Sequence, residues 1–260
     1  MQEDFKRHCE EMSQRVISGI SGIEGTREGA RIVCQGADGT ATKLIDKIAE
    51  DIVFDYIREN NLCRYAVSEE AGIYDFGSGE GRIFLDPIDG THNAVTGNPF
   101  YALSVAYEYE GEITHAFVKD LAHGELFYAS EETGAEVDGR RVSVSDTDLL
   151  EKATLSIYGR KFDPSSIEKL GKKVRRWRLY GASALELCYV GAGRLDGFVD
   201  VRDTLRVTDA AAGMYFCKCA GGVVTGRTGG PVNFSDDVSD GRCLVATNGC
   251  IHNKVIEYLR

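Results

Sequence analysis

Residues 82–93, Arg-Ile-Phe-Leu-Asp-Pro-Ile-Asp-Gly-Thr-His-Asn, constrain the fold and chemistry of this chain more than any other stretch. The apolar run Ile83-Phe84-Leu85 predicts a buried strand. Its end delivers two carboxylates, Asp86 and Asp89, and Gly90 and Thr91 then open what reads as a helix. Acidic side chains at a strand end can hold hard divalent cations. A Gly-led helix start behind them offers unpaired N–H groups to an anion. A cation beside a phosphate is the arrangement these residues imply.

The 260 residues fit one large domain or two subdomains sharing a core. A net charge of -11 speaks against general nucleic-acid binding, because phosphate backbones reward basic surfaces. It leaves room for a small phosphorylated ligand, since bound cations reverse the sign locally. No run approaches the length of a membrane span, and the start lacks an apolar signal core, so a cytoplasmic protein is expected. The 8 cysteines are scattered, and the one close pair, Cys217 and Cys219, lacks zinc-knuckle spacing. Most of them are expected to pack as small apolar residues in a reducing compartment.

Apolar residues recur at helical spacing up to about Ile23, and a Gly-rich, charged connection follows from Glu24 to Gly39. Leu44, Ile48, Ile52 and Tyr56, with Ile45, Ala49, Val53 and Ile57 beside them, form a wide apolar stripe on a helix over 43–58 that Thr42 could cap. From Tyr65 the pattern turns strand-like. Tyr101–Tyr109, Ile113–Lys119, Glu125–Ala129, Ala135–Val137 and Val142–Val144 read as antiparallel strands, the last two joined at Asp138-Gly139. Beyond Leu150, short strands (153–158, 176–179, 197–201) alternate with helices over 183–190 and 208–220. The expected architecture is a layered α+β and α/β sandwich. An antiparallel α+β subdomain (1–150) carries most of the acidic residues, and an α/β subdomain (151–260) completes the fold.

Three places hold carboxylates in contexts that favour ligation: Ser68-Glu69-Glu70 after a short strand, Asp86-Pro87-Ile88-Asp89, and Asp209 in Val207-Thr208-Asp209-Ala210-Ala211-Ala212-Gly213. The small residues after Asp209 would let that helix pack closely on another element. Each site taken alone reads as a turn or a helix start. Together they imply a crowded acidic pocket, which is costly unless cations neutralise it. Oxygen ligands of this kind suit Mg²⁺ or Mn²⁺. By pattern alone Asp46 faces solvent on its helix, and Asp38 lies in a polar loop.

Asp86-Pro87-Ile88-Asp89-Gly90-Thr91-His92-Asn93, preceded by Ser68-Glu69-Glu70 and followed by Thr208-Asp209-Ala210-Ala211-Ala212-Gly213, resembles the inositol monophosphatase superfamily, which includes fructose-1,6-bisphosphatases. The match is most similar to archaeal-type enzymes acting on both fructose 1,6-bisphosphate and inositol monophosphates. The resemblance implies a Mg²⁺-dependent phosphatase with two or three ions per site, Mn²⁺ being a substitute, and a homodimer. It implies that Glu69, Asp86, Asp89, Asp209 and the Ile88 carbonyl are metal ligands, with Asp38 near a third, weaker ion. Thr91 and Asp46 would orient the attacking water, with Glu70 near its network, and the N–H groups of Gly90 and Thr91 would receive the phosphate.

Substrate choice must come from the second half. Where many family members carry an acidic residue seven positions before the last Asp, this chain has Arg202, which would suit a second anionic group. Tyr158, Arg160, Lys161 and Arg176 are candidates for gripping a remote phosphate. Ala182 and Ser183 resemble the family's turn near the sugar hydroxyls, although Ser183 equally reads as an ordinary N-cap. A nucleotide 3′-phosphatase acting on phosphoadenosine phosphate is the alternative enzyme, and a catalytically silent binding protein the alternative of another class.

Overall fold

Helix α1 (Gln2–Ile20) leads into strands β1 (Ile32–Gln35) and β2 (Ala41–Lys43), then helix α2 (Leu44–Asn60). Strands β3 (Tyr65–Ser68), β4 (Gly72–Asp75) and β5 (Arg82–Asp89) precede the short helix α3 (Thr91–Thr96). A meander follows: β6 (Ala102–Tyr109), β7 (Glu112–Asp120), β8 (Leu126–Ser130), β9 (Gly134–Val137) and β10 (Arg140–Arg141). A 3₁₀ turn (Leu150–Lys152) then introduces β11 (Thr154–Tyr158), α4 (Pro164–Gly171), β12 (Arg176–Arg178), α5 (Ser183–Gly191), β13 (Gly197–Leu205) and α6 (Val207–Cys219). Strands β14 (Val223–Thr225) and β15 (Arg242–Thr247) and helix α7 (His252–Leu259) complete the chain. The computed structural model describes residues 2–158 and 164–259.

Eight strands form one sheet in the order β10-β9-β8-β7-β6-β5-β3-β4, and five form a second in the order β12-β11-β13-β15-β14. The first is antiparallel throughout except where β3 runs parallel to β5. In the second, β12, β11 and β13 run parallel, and β15 and β14 are antiparallel to their neighbours.

Strand alternation explains the layering. Along β5, Ile83 and Leu85 join a core built with Met12, Val16 and Ile20 of α1 and Ile45, Ala49 and Val53 of α2. Phe84, between them, points to the opposite face and packs with Leu185 and Cys188 of α5 and Ala211, Ala212 and Phe216 of α6. The other sides of these two helices, through Leu187, Val190, Ala210 and Cys217, meet Phe198, Leu244 and Ala246 of the second sheet. That sheet's outer face (Leu155, Ile157, Val199, Val245) is covered by Ile167 and Leu170 of α4 and by Val255, Ile256 and Leu259 of α7. The result is a five-layer α/β/α/β/α sandwich, with α5 and α6 as the filling shared by both sheets.

Several expectations need correction. The connection over 24–39 contains a hairpin arm, since β1 pairs with β2. Thr42 does not cap α2. Lys43 holds the cap position, and the Thr42 hydroxyl instead donates to Glu70. Residues 142–144 form no strand. The two-residue β10 closes on β9 across the expected Asp138-Gly139 turn, and Val142 and Val144 then donate singly to Ala135 and Ala220. Four cysteines (Cys9, Cys63, Cys188, Cys217) are buried as expected, whereas Cys34 and Cys250 are exposed. All eight are free thiols.

The small-residue start of α6 does permit close packing. A Cβ on Gly213 would lie 2.6 Å from Leu187 Cβ and 2.8 Å from the Ala184 carbonyl oxygen on α5. Contacts this short force the two helices apart. We therefore expect Gly213→Ala to destabilise the protein by about 1–3 kcal/mol, as overpacked cores do. An unchanged denaturation midpoint would show that the α5–α6 contact is slacker than described.

Candidate active site

Parallel pairing of β3 with β5 creates the site. Ser68 pairs with Leu85, where the β3–β5 ladder ends although β5 runs on to Asp89, and Glu69 N–H donates to the Leu85 carbonyl at 3.4 Å. The next residue along each segment is a carboxylate, Glu69 just past β3 and Asp86 within β5. Asp209, in the first turn of α6, completes the group: carboxylate oxygens of Glu69, Asp86 and Asp209 all lie within 4.8 Å of one another. Pro87 contributes no ladder N–H, and the β5–β6 register shifts between Asp86 and Asp89. Asp86 Oδ1 accepts the Ile88 N–H at 3.0 Å, which fixes the turned strand end.

Asp46 and Asp209 occupy matching positions. Each lies three residues past the residue that caps its helix, and each accepts that residue's backbone N–H at 3.2 Å, from Lys43 and Arg206 respectively. The helix starts therefore aim both acids at the ends of β3 and β5. Asp46 is buried, contrary to the solvent-facing reading of its helix pattern. Thr91 donates to the Ile88 carbonyl at 3.1 Å and also favours the ionised form of Asp46. The second oxygen of Asp46, Oδ1, is buried and accepts no hydrogen bond of normal geometry among the described residues.

Asp89 turns toward α5. Its carboxylate accepts N–H groups from Ser183 (2.9 Å), Ala184 (2.8 Å) and Leu185 (3.4 Å), the first turn of that helix. Ala182 caps α5 in extended backbone, so Ser183 is its first helical residue rather than its cap. Gly90, at φ 90°, meets Ala182 so closely that a Cβ there would lie 3.0 Å from Ala182 Cβ and from the Phe100 carbonyl. Asn93 fastens the same joint, donating to the carbonyls of Phe100 (2.8 Å) and Tyr180 (2.7 Å). Buried Glu186 accepts Ser156 Oγ at 2.6 Å and Tyr180 N–H at 2.7 Å, supporting the segment from beneath.

The remaining candidates are placed as follows. Glu70 accepts the Thr42 hydroxyl, and its carbonyl accepts Ala37 N–H at 2.9 Å, so it anchors the loop that carries Asp38. Asp38 forms an ion pair with Arg206, and its charge adds to the rise of Glu69 and Glu70. Tyr158 is buried, its hydroxyl contacted by Ser183 Oγ at 3.3 Å, and the Arg202 guanidinium lies 4.4 Å over its ring. Arg202 is not a free anion receptor: Nε donates to Asp200 Oδ1 at 2.9 Å and Nη2 to Oδ2 at 2.5 Å. Arg176 sits on an exposed edge strand opposite Thr154, at the far end of β11 from Tyr158. At about 3.3 Å per residue that separates it from the Tyr158 end by roughly 13 Å. Arg160 and Lys161 lie outside the described residues.

Sequence reasoning missed Arg206. Its guanidinium pairs with Asp38, with Glu69 at 2.6 Å and with Asp209 at 2.9 Å. The available signal was its place three residues before Asp209, the spacing of an acid and base on one helix turn. Buried Glu50 was missed as well. It accepts Ala71 N–H at 3.0 Å and the Ser68 hydroxyl, bracing the strand end on which Glu69 sits.

Burial and mutual repulsion push the acids upward. Burial raises Glu69 to about 8, with Asp209 and Glu70 adding to the rise and Arg206 opposing it. Burial and Asp209 raise Asp89 to about 8. Asp86 is raised well above the carboxylate range by burial and then by Glu69 and Asp89. Burial lifts Glu70 to about 7 and Asp46 to about 6. Such a concentration of buried acid, built only from oxygen donors, fits hard divalent cations. Beside it, the orphaned Asp46 oxygen offers an acceptor for a water.

Comparison with known proteins places the chain in a family. The family model described as the inositol monophosphatase family matches residues 10–260. The fructose-1,6-bisphosphatase/inositol-1-monophosphatase of Methanothermobacter thermautotrophicus is 35% identical over 264 residues, covering 95% of this chain and 94% of that one. A bifunctional NADP phosphatase/NAD kinase of Methanococcus maripaludis is 31% identical over 268 residues, covering 94% of this chain and 47% of its own length. A crystal structure of an inositol monophosphatase–fructose 1,6-bisphosphatase superposes with a TM-score of 0.89 at 30% identity, covering 98% of this chain and 99% of that one.

The raised acids have a consequence for stability. A carboxyl that titrates higher in the folded than in the unfolded chain binds more protons when folded, so its contribution is present at low pH and lost as pH rises. For Asp46, Glu70, Glu69 and Asp89 that window runs from the ordinary values near 4 up to about 8. We expect the denaturation midpoint of metal-free protein to fall across this range and added Mg²⁺ to recover it. A midpoint flat between pH 5 and 8 would contradict the buried-acid account.

Proposed function

Because the chain belongs to the inositol monophosphatase family and is a phosphoric monoester hydrolase, we propose that it hydrolyses fructose 1,6-bisphosphate to fructose 6-phosphate and inositol 1-phosphate to inositol with the help of Mg²⁺. The observation that carries this reading is the meeting of Glu69, Asp86 and Asp209 within 4.8 Å beside the Asp46–Thr91 pair. Glu69, Asp86 and Asp209 would hold divalent cations, with Asp89 and the Ile88 carbonyl as further oxygens. Cations bound there would supply positive charge for the phosphate oxygens and acidity for nearby water.

The protein's own groups do the rest. Asp46 holds a water through its unpaired Oδ1 and takes its proton, while the Lys43 N–H fixes the carboxylate's orientation and Thr91, donating to the Ile88 carbonyl, stands beside it. The first turn of α3, entered through the left-handed Gly90, presents its N–H groups to the phosphate. Ala182 and Ser183 form the wall on the alcohol side, held at fixed distance by Asp89 and Asn93. No cysteine or serine nucleophile is required, because water attacks in line and the acids position it.

Relatives named NADP phosphatase cover nearly the whole chain, which favours a second reading, removal of the phosphate of NADP. Phosphate release from fructose 1,6-bisphosphate, inositol 1-phosphate and NADP, with and without Mg²⁺, separates the two. We expect the first two to be turned over and chelation to abolish release; a clear preference for NADP would shift the assignment to the second reading. Asp46→Asn should lower turnover by about 10²–10⁴-fold, the range for loss of a positioned base. Activity within twofold of the parent would remove Asp46 from the reaction.

A further inference from the structure

Arg206 stands in the middle of the acidic group. It is the capping residue of α6, and its side chain is only 20% exposed. Nε and Nη2 form a fork with Asp209 at 3.0 and 2.9 Å, while Nη1 reaches Glu69 at 2.6 Å and also Asp38. Glu69 and Asp209 are two of the three acids that cluster within 4.8 Å. The same carboxylates are therefore claimed twice: by a guanidinium now, and by a divalent cation under the reading proposed above.

The two claims are incompatible at full strength. A divalent cation needs its carboxylate oxygens at about 2.0–2.6 Å with lone pairs directed at it. Glu69 Oε1 and Asp209 Oδ1 already direct theirs at Arg206. A guanidinium at hydrogen-bond distance from both acids would also repel an ion placed between them. From this geometry we infer that Arg206 is an internal counter-cation that competes with a divalent ion for Glu69 and Asp209. It holds the acids together when no ion is bound and weakens binding of the ion that replaces it. The third partner, Asp38, gives the competition a structural readout, because Arg206 is the side chain that ties the β1–β2 loop to α6.

This inference rests on the metal-site reading, and the experiment keeps the two apart. Mn²⁺ binding to metal-free protein would be measured by calorimetry for the parent, Arg206→Gln, Arg206→Lys, and Arg194→Gln as a control that breaks an arginine–carboxylate fork to Glu125, with its ring contacts to Phe127 and Tyr189, outside the acidic group. Competition predicts that Arg206→Gln binds Mn²⁺ at least about fivefold more tightly, the lower end of typical coupling between sites. It also predicts a lower metal-free denaturation midpoint and a larger rise on adding Mn²⁺. Arg206→Lys, which keeps the charge but loses the fork, should fall between, and Arg194→Gln should match the parent in Mn²⁺ affinity. If Arg206→Gln does not fold without metal, chelator titration of Mn²⁺-loaded Arg206→Lys makes the same comparison. Equal or weaker Mn²⁺ binding by the Arg206 variants would overturn the competition while leaving the metal site intact. Failure of every protein, the parent included, to bind Mn²⁺ would instead overturn the metal-site reading and the competition with it.

Discussion

Buried negative charge is the constraint around which this fold is arranged. Three carboxylates within 4.8 Å, with further acids beside them, form a cluster that opposes folding unless something positive faces it. The chain tolerates it by drawing the acids from rigid positions: the point where the ladder of two parallel strands stops, and helices whose first turns point inward. A side chain at a strand or helix terminus has little freedom to swing away. The repulsion is therefore held in place rather than relaxed, and a site so held has a standing affinity for cations.

The five layers serve that arrangement. Helices α5 and α6 are covered by a sheet on each side, so neither can tilt without disturbing two cores. Their first turns carry the Asp89-bound N–H groups and Asp209, respectively. The outer helices, α1 with α2 and α4 with α7, each cover a single sheet face and seal the stack. The site thus lies where the most doubly buried elements begin, and the positional accuracy needed for phosphoryl transfer comes from packing rather than from loops.

Much of this was legible in the residues. The Ile83–Leu85 run, the Asp-Pro-Ile-Asp-Gly-Thr turn and the Glu69 and Asp209 motifs were each visible locally, because strand ends and helix starts have short-range signatures. The α2 stripe was equally clear, yet it misled about Asp46: a polar residue on a striped helix reads as solvated, whereas its neighbours here are other acids. Helices α5 and α6 gave weak periodic signals because a helix buried on two sides has no polar face to contrast. Arg206 was legible only as a base three residues before Asp209. Its partners Asp38 and Glu69 are far away in the chain, and only the tertiary fold brings them to it. Arg202 was read as an anion receptor because its neutralising partner, Asp200, was assigned to a strand and not to a pair.

The embrace of Asp89 by the first turn of α5 carries one last implication. Its two oxygens are bonded to the backbone of the segment that lines the alcohol side of the proposed site. The proposed reaction centre and the proposed recognition wall therefore lack modularity: an acid assigned to the one is also the foundation of the other. Changes in substrate preference along this lineage would have to spare α5's first turn and be written into side chains farther along the wall. A redesign that moved that turn would rebuild the reaction centre as well.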